Sequence, residues 1–254
     1  MAKINEAERK TQKHVLELFQ NELNYVYYGD LRHQINSNIM VDKLTDWLTS
    51  PRGGRHSASL ADRAISELQK VTGNLQQGLY KANQDVYSLL KYGTKVKENP
   101  DEPEKTVYFI DWEHPHNNEF AIAEEVTTRS NNERRPNLVV YINGIAIAVI
   151  ELKKSTVSVS QGIRQNISNQ NELFNLPFFA TIQFVMAGNT SEGLRYGTIG
   201  TKEKYYKEWK NDTVNTDPCP STMFHLIFWK SVPHFPANWI GNCSVCFTSG
   251  VFST

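Results

Sequence analysis

Apolar positions recur at helical spacing in the first third of the chain and crowd into near-continuous runs in the middle. NEAERKTQKHVLELFQNEL places Val15, Leu18, Phe19 and Leu23 on one helical face, and Asn5 followed by Glu8 has the spacing of a capping box. NYVYYG follows as a short strand. SLADRAISELQKV predicts a helix with Leu60, Ala64, Ile65, Leu68 and Val71 on one face. GLYKANQDVYSLLKYG predicts another, with Leu79, Ala82, Val86, Leu89 and Leu90 on one face. KVKENPDEPEKT is polar with two prolines and reads as a loop. Beyond it the pattern predicts strands at VYFIDW, FAIAEEVTT, NLVVYI and IAIAVIEL, a helix over VSQGIRQNISNQNELF and a strand at FFATIQFVMAG.

Helices first, then strands, then a helix and a strand imply an α/β domain with a mixed central sheet flanked by helices. We expect this domain over residues 1–217, with a helical part at 1–95 and a sheet core at 106–217. Residues 218–254 differ in kind. Of the 54 charged residues, 53 lie in 1–217, and Lys230 is the single one after them. At the earlier density about nine would be expected there. That segment also lacks a clear period. A frameshift followed by a chance stop would produce such a tail, and so would a buried aromatic arm.

Charge then narrows the functional classes. The 254 residues carry 27 basic and 27 acidic side chains, so any nucleic-acid contact must be local rather than a bulk effect. The N-terminus has no apolar signal region and no run approaches a membrane span. All three cysteines fall after residue 217, which fits a reducing compartment. The expected setting is cytoplasmic, with no membrane partner.

The candidate chemistry lies in RRPNLVVYINGIAIAVIELKKS, residues 134–155. Two apolar runs around Asn-Gly predict a hairpin of strands at about 138–142 and 146–152, at the centre of a sheet. Glu151 and Lys153 share one strand face, and Lys154 points the other way. A two-residue turn would pair Asn137 with Ile150. A three-residue loop centred on Gly144, with positive φ, would put Asn137 opposite Glu151, and we expect that loop. A carboxylate pair with a nearby lysine suits metal-dependent phosphodiester hydrolysis. The same residues could also be a solvated strand end, since Glu-x-Lys is a common tripeptide.

At these residues the chain resembles the nuclease core of the R subunit of type I restriction–modification enzymes, in the P-D…(D/E)-x-K nuclease superfamily. NEAERKTQ, SNIMVDKL, LYKANQDVYSLLKYG, FAIAEEVT, GIRQN, VMAGN, LRYGTI and KEKYYKEWK extend the likeness over about residues 5–210. The resemblance implies a restriction-endonuclease-like fold and Mg²⁺-dependent cleavage of double-stranded DNA. Glu151 matches the metal-binding glutamate and Lys153 the catalytic lysine. Asn137 stands where the family has a metal-binding aspartate, a departure that weakens the site by removing one anionic ligand. Gln165 matches the glutamine of a following Gln-x-x-x-Tyr, whose tyrosine place holds Asn169. Glu8 resembles an acidic residue that some members aim at the metal, or it is simply the capping box.

The family's subunit continues into an ATP-driven motor. No phosphate-binding Gly-x-x-x-x-Gly-Lys-Ser/Thr occurs here, so ATP is expected to matter only in a full-length subunit. The resemblance implies double-stranded DNA and the modification and specificity subunits as partners. Arg134, Arg135, Lys154 and Arg164 are the basic residues placed to meet phosphates, without base specificity. KEKYYKEWK is expected to be a helix of interleaved charge. Cys243-x-x-Cys246 is too isolated for a zinc site, and His114 and His116 read as a polar turn. Two functional readings stand: a nuclease part of a type I R subunit, or a non-catalytic remnant that binds DNA or docks other subunits.

Overall fold

A computed structural model describes residues 6–129, 132–171 and 176–209. The expectations for Asn5 as a cap, for the 218–254 tail and for Cys243-x-x-Cys246 lie outside the described residues. By its contacts the chain divides after Val214, and everything below concerns the first unit.

Helix α1 spans Glu6–Glu17 and runs into a wider π turn at Leu18–Glu22. Strand β1 follows at Val26–Asp30. Three helices come next: α2 at Val41–Thr49, α3 at Ala58–Gly73 and α4 at Leu79–Tyr92. Strands β2, Thr94–Val96, and β3, Lys105–Val107, form a small hairpin. Strand β4 is Phe120–Glu124, and β5, Thr128–Arg129, pairs with β6, Glu133–Arg134. The predicted hairpin is β7, Leu138–Ile142, and β8, Ile145–Leu152. Helix α5, Val159–Asn169, leads back to β9, Phe184–Asn189, and then come β10, Gly193–Gly197, and β11, Lys207–Glu208.

Seven strands form one mixed sheet in the order β1-β4-β7-β8-β9-β10-β11. The pairs β1–β4 and β8–β9 are parallel and the rest antiparallel. Every residue of β7 and β8 is buried. That is the burial their unbroken apolar runs imply, since a strand covered on both faces has no polar side to show. One face of the sheet is carried by Ala121, Ala123, Val139, Tyr141, Val149 and Val185, packed against Phe178 and Phe179. Helix α5 lies over β9, with Val159 and Ile163 against Ala187.

Several sequence expectations are corrected. The buried face of the first helix is Gln12, Leu16, Phe19 and Leu23, whereas Val15 and Leu18 are only half-buried. The π turn, closed by Leu23 N–H to the Leu18 carbonyl at 3.1 Å, shifts the helical phase there. Helix α2 was not anticipated, because nine residues give too few turns for a clear period. VYFIDW stops being a strand at Val107, and Phe109 and Ile110 are buried without strand pairing. FFATIQFVMAG becomes a strand only at Phe184, after a 3₁₀ segment at Leu176–Ala180. KEKYYKEWK is not a helix but a 3₁₀ turn, Glu203–Tyr205, followed by β11. There the edge of β10 wins over helix propensity: Arg195 pairs with Glu208, Tyr196 with Lys207, and the Trp209 ring packs 5.6 Å from Tyr196.

Candidate active site

The site is set by the register of the β7–β8 hairpin. The connection is a two-residue turn: Ile142 pairs with Ile145, and Asn143 and Gly144 have φ of 51° and 82°. The three-residue loop expected from the sequence is therefore not formed. Gly144 is required here for two reasons. Its φ is positive, and a Cβ would lie 2.8 Å from Lys43 Cβ and 2.9 Å from the Met40 carbonyl oxygen. The Asn143 side chain locks the turn by donating to the Phe109 carbonyl and accepting from Glu119 N–H at 2.7 Å.

A bulge restores what the short turn takes away. Val140 pairs with Ala148 but Tyr141 with Ala146, so Ile147 is an extra residue. Its carbonyl accepts Gln183 N–H at 2.7 Å. Beyond the bulge Leu138 faces Ile150, and one step further Asn137 is level with Glu151. The register is the one expected, reached by a different device.

The same continuation holds across the sheet. Glu124 pairs with Leu138, so Glu125 is level with Asn137, and the Glu125 N–H donates to the Asn137 carbonyl at 2.8 Å. Two residues along from the apolar face at Ala123, Val139, Val149 and Val185 lie Glu125, Asn137, Glu151 and Ala187. A polar row thus caps an apolar sheet face across β4, β7 and β8.

Each member is buried: Glu125 is 1% exposed, Glu151 3% and Asn137 8%. Asn137 Oδ1 accepts the Leu152 N–H at 2.9 Å. Lys153 Nζ bridges Glu151 Oε1 and Gln165 Oε1, at 2.8 Å each. Helix α5 can bring Gln165 so close because Gly162 faces β8: a Cβ there would sit 3.1 Å from Ala187 Cβ and 3.6 Å from the Cγ atoms of Glu151 and Lys153. Glu151 Oε2 is buried without a hydrogen-bond partner. Glu125 Oε2 meets Arg135 Nε at 2.8 Å.

Burial pushes the Glu151 carboxyl up to about 7, against the pull of Lys153, and the charges of Glu8 and Glu125 add to the rise. Burial also raises Glu125, opposed chiefly by Arg135, with the neighbouring amides of Gln12 and Asn137 helping. Two carboxyls held above their ordinary range beside two cations form a site short of positive charge. That is where a divalent ion gains most from binding. Among the described residues no three Asp, Glu, His or Cys side chains already converge as a ligand set. The available donors are the orphan Glu151 Oε2, Glu125, and Glu8 from α1.

Of the residues singled out in the sequence, Asn137, Glu151, Lys153 and Gln165 come together, and Glu8 lies within electrostatic reach. Arg135 joins the row through Glu125. Arg134 sits half-buried on β6, with its carbonyl accepting from Thr128 Oγ1 at 3.1 Å. Lys154 is half-buried next to the site. Arg164 is exposed and paired with Glu203 at 2.8 Å. Glu125 was missed. Its signal was an acidic doublet ending an apolar strand: Glu124 takes Gln12 Nε2 at 2.6 Å and the Tyr27 hydroxyl, while Glu125, at φ 53°, turns into the row.

The mixed sheet with helices on its faces, ending at a buried Glu–Lys pair, defines an α/β protein of nuclease-like architecture. The chain belongs to the family described as the type I restriction enzyme R protein N terminus, which matches residues 3–204. It is 25% identical over 159 residues to the type I restriction enzyme HindI endonuclease subunit of Haemophilus influenzae, covering 59% of this chain and 15% of that protein. It is 34% identical over 155 residues to a Methanocaldococcus jannaschii protein provisionally named the type I restriction enzyme MjaIXP endonuclease subunit, covering 54% of this chain and 14% of that one. The chain therefore matches only a small part of these relatives' length.

Proposed function

We propose that this chain is the nuclease part of a type I restriction R subunit, cleaving double-stranded DNA with Mg²⁺ when joined to an ATP-driven motor. The observation that carries the reading is the partly buried Glu151–Lys153–Gln165 chain at the end of a central strand, with the buried Glu151 Oε2 left unsatisfied. A buried carboxylate oxygen without a donor is costly in a purely structural site, and a cation resolves that cost. Bound there, Mg²⁺ would polarise a phosphoryl oxygen and acidify a water.

The chain's own residues do the rest. Glu151, with Glu8 from α1, holds the cation. Lys153, fixed between Glu151 and Gln165, presents its ammonium to the developing negative charge or orients the attacking water. Gln165 keeps Lys153 from folding wholly onto Glu151. Lys154, Arg134 and Arg135 flank the row and would meet DNA phosphates, while Arg164 would have to leave Glu203 to do so. Site recognition would then rest with a specificity subunit, and assembly with the modification subunit. No helix among the described residues is long and apolar enough to cross a membrane, and a cytoplasmic setting is proposed.

A second reading, a non-cutting DNA-binding or docking module, is favoured by one observation: the side-chain oxygen of Asn137 is already used by Leu152 N–H. Fusion to a type I motor, with its partner subunits supplied, decides between them. Under those conditions the chain should nick plasmid DNA with Mg²⁺, and Asn137→Asp should nick it at least as fast. Absence of nicking in both forms under those conditions would support the module.

A further inference from the structure

The polar row holds a carboxylate that the nuclease reading does not use. Glu125 is on β4, level with Asn137 on β7, which is level with Glu151 on β8. Adjacent strands are about 4.8 Å apart, so Glu125 and Glu151 stand two strands from each other with only Asn137 between. Both are almost wholly buried; Glu151 Oε2 has no hydrogen-bond partner, and Glu125 has the amides of Gln12 and Asn137 beside it. Each is faced by a side-chain cation, Arg135 at 2.8 Å and Lys153 at 2.8 Å. Asn137 is neutral, and its side-chain oxygen already braces Leu152 N–H.

We propose that Glu125 supplies the second carboxylate of the divalent-cation site, facing Glu151 across the row, so that Asn137 acts as the brace between two acidic ligands rather than as the missing one. This rests on the metal-dependent nuclease reading and deepens it. Hard divalent cations select oxygen donors and gain most from anionic ones. A row of Glu, Asn and Glu offers two anions and an amide in line. The cation would compete with Arg135 for Glu125. The positive φ of Glu125 has a use in this scheme: it turns the side chain at the end of β4 into the row.

The test is calorimetric titration of the 254-residue chain with Mn²⁺ at pH 8, in wild type, Glu125→Gln, Glu151→Gln and Arg135→Met, each checked for fold by circular dichroism in EDTA. Glu125→Gln and Glu151→Gln should each weaken Mn²⁺ tenfold or more. Arg135→Met, which keeps the carboxylate and removes its competitor, should tighten binding severalfold. Wild-type affinity in Glu125→Gln, with affinity lost in Glu151→Gln, would overturn the role of Glu125 and leave the nuclease reading standing. If Glu125→Gln does not fold, Arg135→Met decides: unchanged or weaker binding overturns the proposal. No Mn²⁺ binding by wild type, or no effect of Glu151→Gln, would remove the metal site and both readings with it.

Discussion

Replacing Glu151 by glutamine should make the metal-free protein more stable relative to wild type as pH rises. In the folded chain the Glu151 carboxyl titrates at about 7, against an ordinary value of 4.5. A raised acid holds its proton more tightly folded than unfolded. Between about pH 4.5 and 7 the native state therefore binds more protons, and its stability falls as pH climbs through that window. Each tenfold preference for the proton is worth about 1.4 kcal/mol, so the full loss is about 3 kcal/mol, nearly complete at pH 8 and mostly absent at pH 5. Glutamine has nearly the same shape and no charge. It also removes the partner of Lys153, which keeps Gln165 and is 14% exposed. The measurable quantity is the change in the mutant–wild-type difference, about 2.5 kcal/mol in favour of glutamine at pH 8 relative to pH 5. Urea unfolding in EDTA at the two pH values reads it directly, and in melting temperature it is roughly 5–10 °C. A difference that stays constant within about 0.5 kcal/mol would show that Glu151 titrates as an ordinary carboxyl. The unsatisfied buried site would then be refuted.

Gly144→Ala should destabilise the chain by about 1–3 kcal/mol in urea unfolding, because the turn needs positive φ and a Cβ would press on Met40 and Lys43; a cost under about 0.5 kcal/mol would mean the turn relaxes freely. Lys153→Met should leave calorimetric Mn²⁺ binding intact or tighter, by removing a competing cation, while lowering nicking by the motor-fused chain a hundredfold or more; lost metal binding would make Lys153 part of the cation site's support instead. Truncation after Asp217 should leave the melting temperature unchanged and improve solubility, since the aromatic, charge-poor 218–254 segment reads as foreign to the domain; a fall of ten degrees or more would make that segment part of the core.

What the sequence determined by itself was mostly local or periodic. Unbroken apolar runs around Asn143-Gly144 could only be a central hairpin, and Glu151 and Lys153 two residues apart had to share a face. The helical stripes of α3 and α4 were legible for the same reason: a period that repeats over three turns survives small errors of phase. Short or competing segments were not. Helix α2 has too few turns, and KEKYYKEWK, equally able to form a helix by composition, is decided by the open edge of β10. The register of the site likewise belonged to the tertiary structure. Asn-Gly fits both turn lengths. The bulge at Ile147 forms where Gln183 and the parallel β9 strand come alongside, from more than thirty residues away. Glu125 became visible only because register is a relation between strands: no spacing along the chain says that β4 lies beside β7, or that two acids 26 positions apart end in one row.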